Sequence, residues 1–376
     1  MMKFASLLIA AVMLISCGDK TGNDSVSSEL KIEPDKTLVQ SDGEDFVTLN
    51  VTLNGVPVTD GVVFYEGSTK LDVVDFKFFT TVAGDHKIWA NYGSYISDPV
   101  TVRAISIPIP PTPEDPAPER ADFKSRVMVM QFTGTACGYC SQFMDRLKDA
   151  FDDAVFADEY VKAAIHNYQY SSAYPDKAYL AWDWASSTLG AMNPSIIMDY
   201  KSLYALYAST SSDEFKSEVR KQNDSKKADA CGIAVNAKLV DGQVVAKVTV
   251  KAAKTGTYRV GGILLEDGIK GKQINGKEWM NTHNACVRHI DAKVKVASRE
   301  GYYGHSLGEI KAGETADYLF VWNLADVQKE NDPNYYWDNF VVDNLRMAVF
   351  VTGSDGYINN AVKAEFGVEL PFEYKN

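Results

Sequence analysis

The sequence predicts a multi-domain protein in which one α/β domain accompanies two all-β domains. Three observations predict this class. Short segments with alternating apolar and polar residues, typical of strands, occupy residues 28–104 and 229–376. Strand and helix patterns alternate over residues 122–228, and six prolines fall within residues 108–118. With 45% hydrophobic residues, a chain of 376 residues can bury several cores.

Residues 1–16 are predicted to form a secretory signal peptide. The mostly apolar run over residues 4–15 is too short to span a bilayer as a helix. It is followed by Cys17 in the sequence LISC, which resembles the bacterial lipobox, where the signal is cleaved before a cysteine that then carries lipid. We therefore expect Cys17 to be the acylated N-terminus of the mature protein, followed by a polar tether over residues 17–27. The alternative is an ordinary signal peptide with a chance cysteine.

The composition excludes one class of partner, and the lipobox points to one compartment. A formal net charge of −12 at pH 7 repels phosphate backbones, and the sequence has no basic stripe interleaved with aromatics, so we expect no nucleic-acid partner. The lipobox implies a lipoprotein of the cell envelope, attached to the membrane through Cys17, with the periplasmic or surface face left open. In that compartment cysteines tend to be paired. No cofactor is indicated.

Residues 28–104 are predicted to form a small β-sandwich. In the segment DFVTLNVTLNG, apolar residues occur at every second position from Val47 onward, and Asn54-Gly55 is a hairpin signal. The closing segment AGDHKIWANYGSYISDPVTV resembles the last strands of bacterial immunoglobulin-like domains. The resemblance implies an immunoglobulin-like spacer or adhesive module. The proline-rich residues 105–121 then predict an extended linker that acts as spacer and hinge.

A Cys-x-x-Cys pair follows the first strand pattern of the α/β region. Residues 127–132 are apolar apart from Gln131, as expected for a strand covered on both faces, and Cys137 and Cys140 come at the turn into a helix pattern. Such a pair can be half of a zinc site, an inert disulfide clip or a redox centre. Zinc needs four ligands, commonly a second close pair, and the two later cysteines lie 55 residues apart. We therefore predict no metal and keep the clip and the redox centre as alternatives.

If the pair is a redox centre, its spacing assigns the roles. A helix N-terminus presents unpaired N–H groups and the positive end of the helix dipole to Cys137, which favours thiolate over thiol and makes this residue the nucleophile. Cys140 lies about one helical turn further on, where it is better buried and able to resolve a mixed disulfide. The two cysteines are close enough to form a disulfide with each other.

The segment QFTGTACGYC resembles the active-site segment of thioredoxin-fold proteins, and its Gly-Tyr dipeptide is like that of periplasmic disulfide isomerases. The sequence MNPSI, residues 192–196, resembles the loop that carries a cis proline beside the cysteines in that fold. The resemblance covers residues 122–228 and implies a thioredoxin-like domain in which Pro194 belongs to the catalytic site and presents backbone to an extended substrate. This chain has Ala136 and Gln131 where thioredoxins usually have Trp and a buried acid, so we expect slow turnover or none.

Residues 229–376 are predicted to form a second β-sandwich, which begins with an alternating hairpin that turns at Asp241-Gly242. The segments GGILLEDGIKGKQINGKEWMNTHNACVRHI and YINNAVKAEFG resemble the C-terminal region of the outer membrane protein 28-related lipoproteins of Bacteroides-type bacteria. This resemblance spans residues 122–376. It implies that this chain, like the members of that family, joins a thioredoxin-like portion to a C-terminal domain. The resemblance also implies an outer membrane lipoprotein, and that family has no settled biochemical role.

Two further predictions concern side chains in the C-terminal region. On a strand, Cys286 would face away from His283 and His289, whereas a helix would bring the three together; we favour a polar cluster over a metal site. For Cys231 and Cys286, the oxidising compartment predicts a disulfide, with two buried thiols as the alternative.

Two functional hypotheses follow from these patterns. The first is a lipid-anchored envelope protein with thiol-disulfide oxidoreductase or isomerase-like activity on exported client proteins or a redox partner, carried by Cys137 and Cys140. The second is a non-catalytic surface binding or scaffold lipoprotein whose disulfide is structural. An accessible Cys137 sulfur beside Pro194 would favour the first hypothesis, and exposed aromatics on the sandwiches would favour the second.

Overall fold

The computed structural model describes residues 29–166, 178–207, 209–296, 299–329 and 340–375. The predicted signal peptide, the acylated Cys17 and the polar tether lie outside the described residues. The protein is a β-rich, multi-sheet fold with few helices, and it divides into two compact units between Pro108 and Ile109. Within the described ranges, no helix is long and apolar enough to cross a membrane.

The first unit, which ends at Pro108, contains ten strands in its described residues. They are β1 (Leu30–Pro34), β2 (Leu38–Gln40), β3 (Val47–Leu53), β4 (Val56–Pro57), β5 (Val63–Glu66), β6 (Thr69–Lys70), β7 (Lys77–Phe78), β8 (Gly84–Tyr92), β9 (Tyr95–Ile96) and β10 (Val100–Ile105). One sheet has the order β1-β3-β4, with β7 beside β3. The other has the order β2-β10-β8-β5-β6, with β9 beside β8.

The two sheets of this unit share one core. Alternate residues of β3, from Val47 to Val51, are buried in the same apolar cluster as Ile88 of β8. This burial pattern confirms the predicted period of two. The predicted turn is confirmed as well, because Asn54 and Gly55 both have positive φ angles and connect the paired strands β3 and β4.

The second unit, from Ile109 onward, contains seventeen strands and four α-helices in its described residues. The strands are β11 (Val127–Thr133), β12 (Tyr160–His166), β13 (Ser195–Met198), β14 (Lys201–Leu206), β15 (Gly232–Val240), β16 (Gln243–Lys251), β17 (Gly256–Glu266), β18 (Ile269–Lys270), β19 (Thr282–His283), β20 (Cys286–Asp291), β21 (Val294–Val296), β22 (Arg299–Gly301), β23 (His305–Ile310), β24 (Thr315–Asn323), β25 (Leu345–Thr352), β26 (Ile358–Ala364) and β27 (Glu369–Leu370). The helices are α1 (Gly138–Phe151), α2 (Ala178–Leu189), α3 (Ser212–Lys226) and α4 (Leu324–Lys329).

One large sheet dominates this second unit. It has nine strands, in the order β14-β13-β11-β12-β20-β17-β25-β26 with β23 beside β17. A four-stranded sheet has the order β24-β16-β15-β27, and two hairpins, β18-β19 and β21-β22, complete the described strands. The large and the four-stranded sheet contribute to a common apolar cluster.

The part of the large sheet around β11 is covered on both faces. All seven residues of β11 are buried. Val127 and Val129 pack in one cluster with side chains of α1 and α3, and Met128 and Met130 pack in another with side chains of α2. This confirms the predicted covered strand over residues 127–132. β12 runs parallel to β11, and β13 runs antiparallel to it.

The large sheet joins residues that the sequence analysis assigned to two domains. Ala164 of β12 pairs in parallel with Cys286 of β20, so strands from residues 122–228 and from residues 229–376 lie side by side in one compact unit. β20 meets the edge of β12 at this pair, where the Ala164 N–H donates to Ala285 O at 2.7 Å. The boundary expected after residue 228 therefore falls between two parts of one sheet.

The proline-rich segment packs against the second unit. Pro111 accepts a hydrogen bond on its carbonyl oxygen from Asn236 Nδ2 at 3.0 Å. Lys251 Nζ lies 2.8 Å from Asp115 Oδ2 and 2.6 Å from Pro118 O. Prolines have no N–H donor but keep their carbonyl acceptors, and these acceptors meet buried polar side chains of β15 and β16. This part of the predicted linker is therefore docked and does not form a free spacer.

Candidate redox site

Cys137 and Cys140 form a disulfide at the N-terminus of α1, with their Cα atoms 5.3 Å apart. Cys137 is the N-cap residue: its backbone is extended, and its Sγ accepts a hydrogen bond from the Cys140 N–H at 3.2 Å. The first turn of α1 carries no acidic residue. The N–H groups and the positive end of the helix dipole therefore point towards the Cys137 sulfur without an opposing carboxylate in that turn.

The two cysteines differ in exposure, although neither lies open to solvent. Cys137 is 7% exposed and Cys140 is 1% exposed. Tyr139, between them, is 69% exposed, so the chain reaches the surface at the turn itself. Access to the disulfide is therefore restricted, and it favours Cys137 over Cys140.

The loop that contains Pro194 lies beside the end of β11. The Asn193–Pro194 peptide bond is cis. Asn193 Nδ2 donates a hydrogen bond to Thr133 O at 3.2 Å, and β13 begins directly after Pro194 as the antiparallel neighbour of β11. The fold thus brings Pro194 to the strand end from which the chain continues to Cys137.

A segment from the C-terminal region covers the turn that carries the cysteines. We call residues 271–281 the strap; the paired strands β18 and β19 hold its two ends together. Gln273 of the strap is buried, and its side-chain Nε2 is within hydrogen-bonding distance of three backbone carbonyls of the turn. The acceptors are Gly134 O at 3.1 Å, Thr135 O at 3.2 Å and Cys137 O at 3.1 Å.

The strap is the part of the site that the sequence analysis missed. Its residues were assigned no role beyond a family resemblance, because its contacts to the turn join residues that are at least 136 positions apart. One local signal existed. A β-carbon on Gly138 would come within 2.9 Å of the Asn275 side chain, so the glycine in the Cys-x-x-Cys turn marks a close approach. Lys277 adds an ion pair with Asp145 of α1 at 2.6 Å.

A cavity of about 260 Å³ lies between α1 and the β11–β12 part of the sheet. Gln131 of β11 lines it together with Lys162, His166 and His283. The two imidazole rings are T-shaped, with centroids 5.2 Å apart. Burial lowers the pKa of His166 to about 3, that of Lys162 to about 8, and that of His283 below its ordinary value. Both histidines are therefore uncharged at neutral pH.

The two later cysteines are free, buried thiols. The predicted disulfide between Cys231 and Cys286 is therefore wrong, and the alternative of two buried thiols holds. Cys231 comes directly before β15 of the four-stranded sheet, whereas Cys286 begins β20 of the nine-stranded sheet, so the fold places them in different sheets. Burial raises the pKa of each thiol to about 12, which keeps both protonated.

The residues of the possible metal cluster have separate surroundings. Cys286 and His289 belong to strand β20, and the His289 ring packs against Trp322 with centroids 5.3 Å apart. His283 Nε2 lies 2.9 Å from Gly271 O at the start of the strap. Among the residues that the structure describes, no group of three His, Cys, Asp or Glu side chains is placed to hold a metal ion.

The fold and the site define a β-rich protein with a disulfide-bonded Cys-x-x-Cys at a helix N-terminus. Among solved structures, the chain is similar to HBP35 of Porphyromonas gingivalis, with a TM-score of 0.51 at 18% identity, over 68% of this chain and 80% of that chain. At this identity the similarity shows the fold alone. The adhesin InvE of Yersinia pseudotuberculosis matches with a TM-score of 0.16 at 9% identity, over 90% of this chain and 59% of that chain, and supports no structural argument. No family model and no curated protein matches the chain.

Proposed function

We propose that the protein is an envelope thiol-disulfide oxidoreductase or isomerase-like protein that acts on exported proteins through Cys137 and Cys140. The observation that carries this proposal is the position of Cys137 as the N-cap of α1, bonded to Cys140, with the cis Asn193–Pro194 bond at the neighbouring strand end. A thioredoxin-like assignment of residues 122–228 is supported by the order of strand, cysteine turn, helix, parallel strand, helix and cis-proline strand. The sheet pairs that share a core support an immunoglobulin-like sandwich in the first unit and a second sandwich near the C-terminus.

The chemistry follows from the two sulfurs. In the reduced protein, the Cys137 thiolate attacks a client disulfide, forms a mixed disulfide and releases one client thiolate, which takes up a proton. Cys140 loses its proton and attacks the Cys137 sulfur, which re-forms the Cys137–Cys140 bond and releases the second client thiolate. Two electrons and two protons pass to the client, and a dithiol reductant of the envelope restores the pair. The reverse sequence oxidises a client dithiol.

Exposed apolar side chains around the disulfide support a polypeptide client. Tyr139 is 69% exposed, Met192 is 50% exposed and Ile274 is 45% exposed. They belong to the cysteine turn, the loop before the cis proline and the strap. Hydrogen bonds hold this loop against the end of β11 and the strap against the chain between β11 and α1. Large apolar side chains exposed close together are typical of a protein-binding surface.

The rival function is a surface binding or scaffold lipoprotein with a structural disulfide. The observation in its favour is the restricted access to the pair, since Cys137 is only 7% exposed and the strap packs against its turn. A disulfide in that role would stabilise the fold by constraining the unfolded chain.

The cellular setting is part of the proposal. The lipobox resemblance at residues 14–17 supports an outer membrane lipoprotein anchored through an acylated Cys17. The oxidising conditions of the envelope are those in which a surface-near disulfide persists. Exported proteins with cysteines would be the clients in that compartment.

Mixed-disulfide trapping tests the proposed function. The Cys140→Ser variant should accumulate disulfide-linked complexes between Cys137 and client proteins, because the resolving thiol is missing. The matched control Cys137→Ser should trap none. Non-reducing gels and mass spectrometry of the linked peptides identify the complexes. If neither variant traps a client and the wild-type pair has a reduction potential below about −300 mV, the structural clip is the correct assignment.

A further inference from the structure

Three backbone carbonyls of the cysteine turn converge on one side chain. Gly134 O, Thr135 O and Cys137 O each lie 3.1 to 3.2 Å from Gln273 Nε2. Oxygens that converge in this way bring three partial negative charges together beside Cys137. The Gln273 amide, which has two N–H donors and no net charge, is the group that the fold places among them.

The strap supports Gln273 in this position. The Gln273 N–H donates to Asn281 Oδ1 at 2.9 Å, and the Gly271 N–H donates to Asn281 O at 3.0 Å, so the strap closes on itself. The Ile274 N–H donates to Thr135 O at 2.8 Å, which ties the strap to the turn through the backbone as well. Because Gln273 is buried, its hydrogen bonds act in surroundings of low dielectric, where they are stronger than in water.

Some charged groups on the surrounding elements are paired or buried, whereas Lys272 and Glu278 of the strap and Tyr139 of the cysteine turn are exposed. Lys277 of the strap pairs with Asp145 of α1 at 2.6 Å, and Lys148 of α1 pairs with Asp152. In the cavity, burial keeps both histidines uncharged at neutral pH and lowers the pKa of Lys162. At the turn itself, the side chain that donates to the three carbonyls is the neutral amide of Gln273.

We propose that Gln273 is a positioning residue for Cys137. Its amide fixes the Cys137 carbonyl, and with it the direction of the sulfur at the helix N-terminus, and it offsets the turn carbonyls that oppose a negative sulfur. The inference rests on the proposed function and deepens it: a segment from outside the thioredoxin-like region sets how much thiolate Cys137 carries.

The test compares two variants of the reduced, full-length protein. Gln273→Met keeps the side-chain length but removes the donors, and Gln222→Met replaces another buried glutamine, on α3, as the matched control. The rate of iodoacetamide alkylation at Cys137 is measured between pH 5 and pH 10 by peptide mass spectrometry. In the wild type we expect a midpoint below about pH 8.5. Gln273→Met should raise it by about one pH unit and slow alkylation at pH 7 about tenfold, while Gln222→Met leaves it unchanged.

The outcomes separate this inference from the proposed function. A low wild-type midpoint that Gln273→Met leaves in place would overturn the inference and leave the redox function standing. An ordinary wild-type midpoint without client trapping would overturn the redox function, and a shift in Gln273→Met would still support the role of Gln273. Gln273→Asn keeps the amide one methylene shorter and should shift the midpoint less, which provides a milder variant if Gln273→Met unfolds. A loss of stability in both variants with no shift of the midpoint would reduce Gln273 to a structural residue.

Discussion

At the scale of single residues, the disulfide joins two sulfurs with unequal surroundings. Cys137 caps α1 and receives the Cys140 N–H on its sulfur, whereas Cys140 lies inside the first helical turn and is almost fully buried. Thiol-disulfide exchange needs access to the sulfur that is attacked. The capping cysteine is therefore the one placed to meet another molecule.

We predict that an alkylating reagent modifies Cys137 first in the reduced protein and Cys140 far more slowly. The helix N-terminus stabilises the Cys137 thiolate, and the first helical turn shields Cys140. Time-resolved alkylation with peptide mass spectrometry gives both rates. Cys231 and Cys286, whose buried thiols have a pKa raised to about 12, are internal controls that should react only on unfolding. Equal and slow rates at Cys137 and Cys140 would contradict the redox assignment.

At the scale of elements, local sequence patterns predicted what neighbouring residues determine. The strand over residues 127–132, the start of α1 after Cys137 and the turn at Asn54-Gly55 depend on periodicity, capping and turn chemistry, each of which acts over a few residues. The strap could not be predicted in this way. Its position depends on bonds from Gln273 to carbonyls at least 136 residues away, which leave no periodic pattern in the sequence.

The contacts of the proline-rich segment also could not be predicted from local sequence. Its composition predicts an extended backbone without internal hydrogen bonds, and such a backbone leaves its carbonyls open to other partners. Whether those carbonyls meet water or protein depends on side chains that lie far away in sequence, here Asn236 and Lys251. Composition alone therefore predicted the shape of this segment and not its docking.

We predict that Asp115→Ala destabilises the second unit by about 2 kcal/mol. Lys251 is buried and would lose its carboxylate partner at 2.8 Å, and the Tyr374 hydroxyl would lose its acceptor at 2.7 Å. Urea titration with hydrogen-exchange mass spectrometry of residues 109–376 measures the change. The neighbouring exposed residue gives the control Glu114→Ala, which should stay within about 0.5 kcal/mol of the wild type. Equal stabilities of the two variants would instead support the extended spacer and hinge that the proline content predicts.

At the scale of the whole molecule, the proposed lipid anchor at Cys17 would decide where the proposed redox chemistry occurs. We predict that Cys17→Ser abolishes acylation and releases the protein from the membrane fraction, because the proposed attachment to the membrane is the lipid on this cysteine. Intact mass of the mature wild-type protein gives its N-terminus and its lipid. A free, unlipidated N-terminus at a residue other than Cys17 would contradict the anchor and leave the disulfide chemistry untouched.

The α/β region and the C-terminal β region share one sheet in the structure. The two regions differ in the periodicity of their apolar residues, which predicted an α/β region followed by a β region, and their helices and strands differ in the same way. Their separation as bodies depends on which strand edges meet, and the pairing of Ala164 with Cys286 carries the sheet across the expected boundary. Edge pairing depends on the whole unit, so no window of the sequence contains it.

The strand order of the large sheet also limits when the second unit can fold during export. β12 ends at His166, whereas its neighbour β20 starts at Cys286. Phe123 pairs with Tyr374. The second unit therefore cannot complete its fold until the segment around Tyr374 has been exported. Contacts between residues so far apart in the chain form slowly. On the proposed export route, Cys137 and Cys140 thus enter the oxidising compartment more than two hundred residues ahead of Tyr374. The Cys137–Cys140 disulfide can therefore form while the second unit is still unfolded, before the strap restricts access to the two sulfurs.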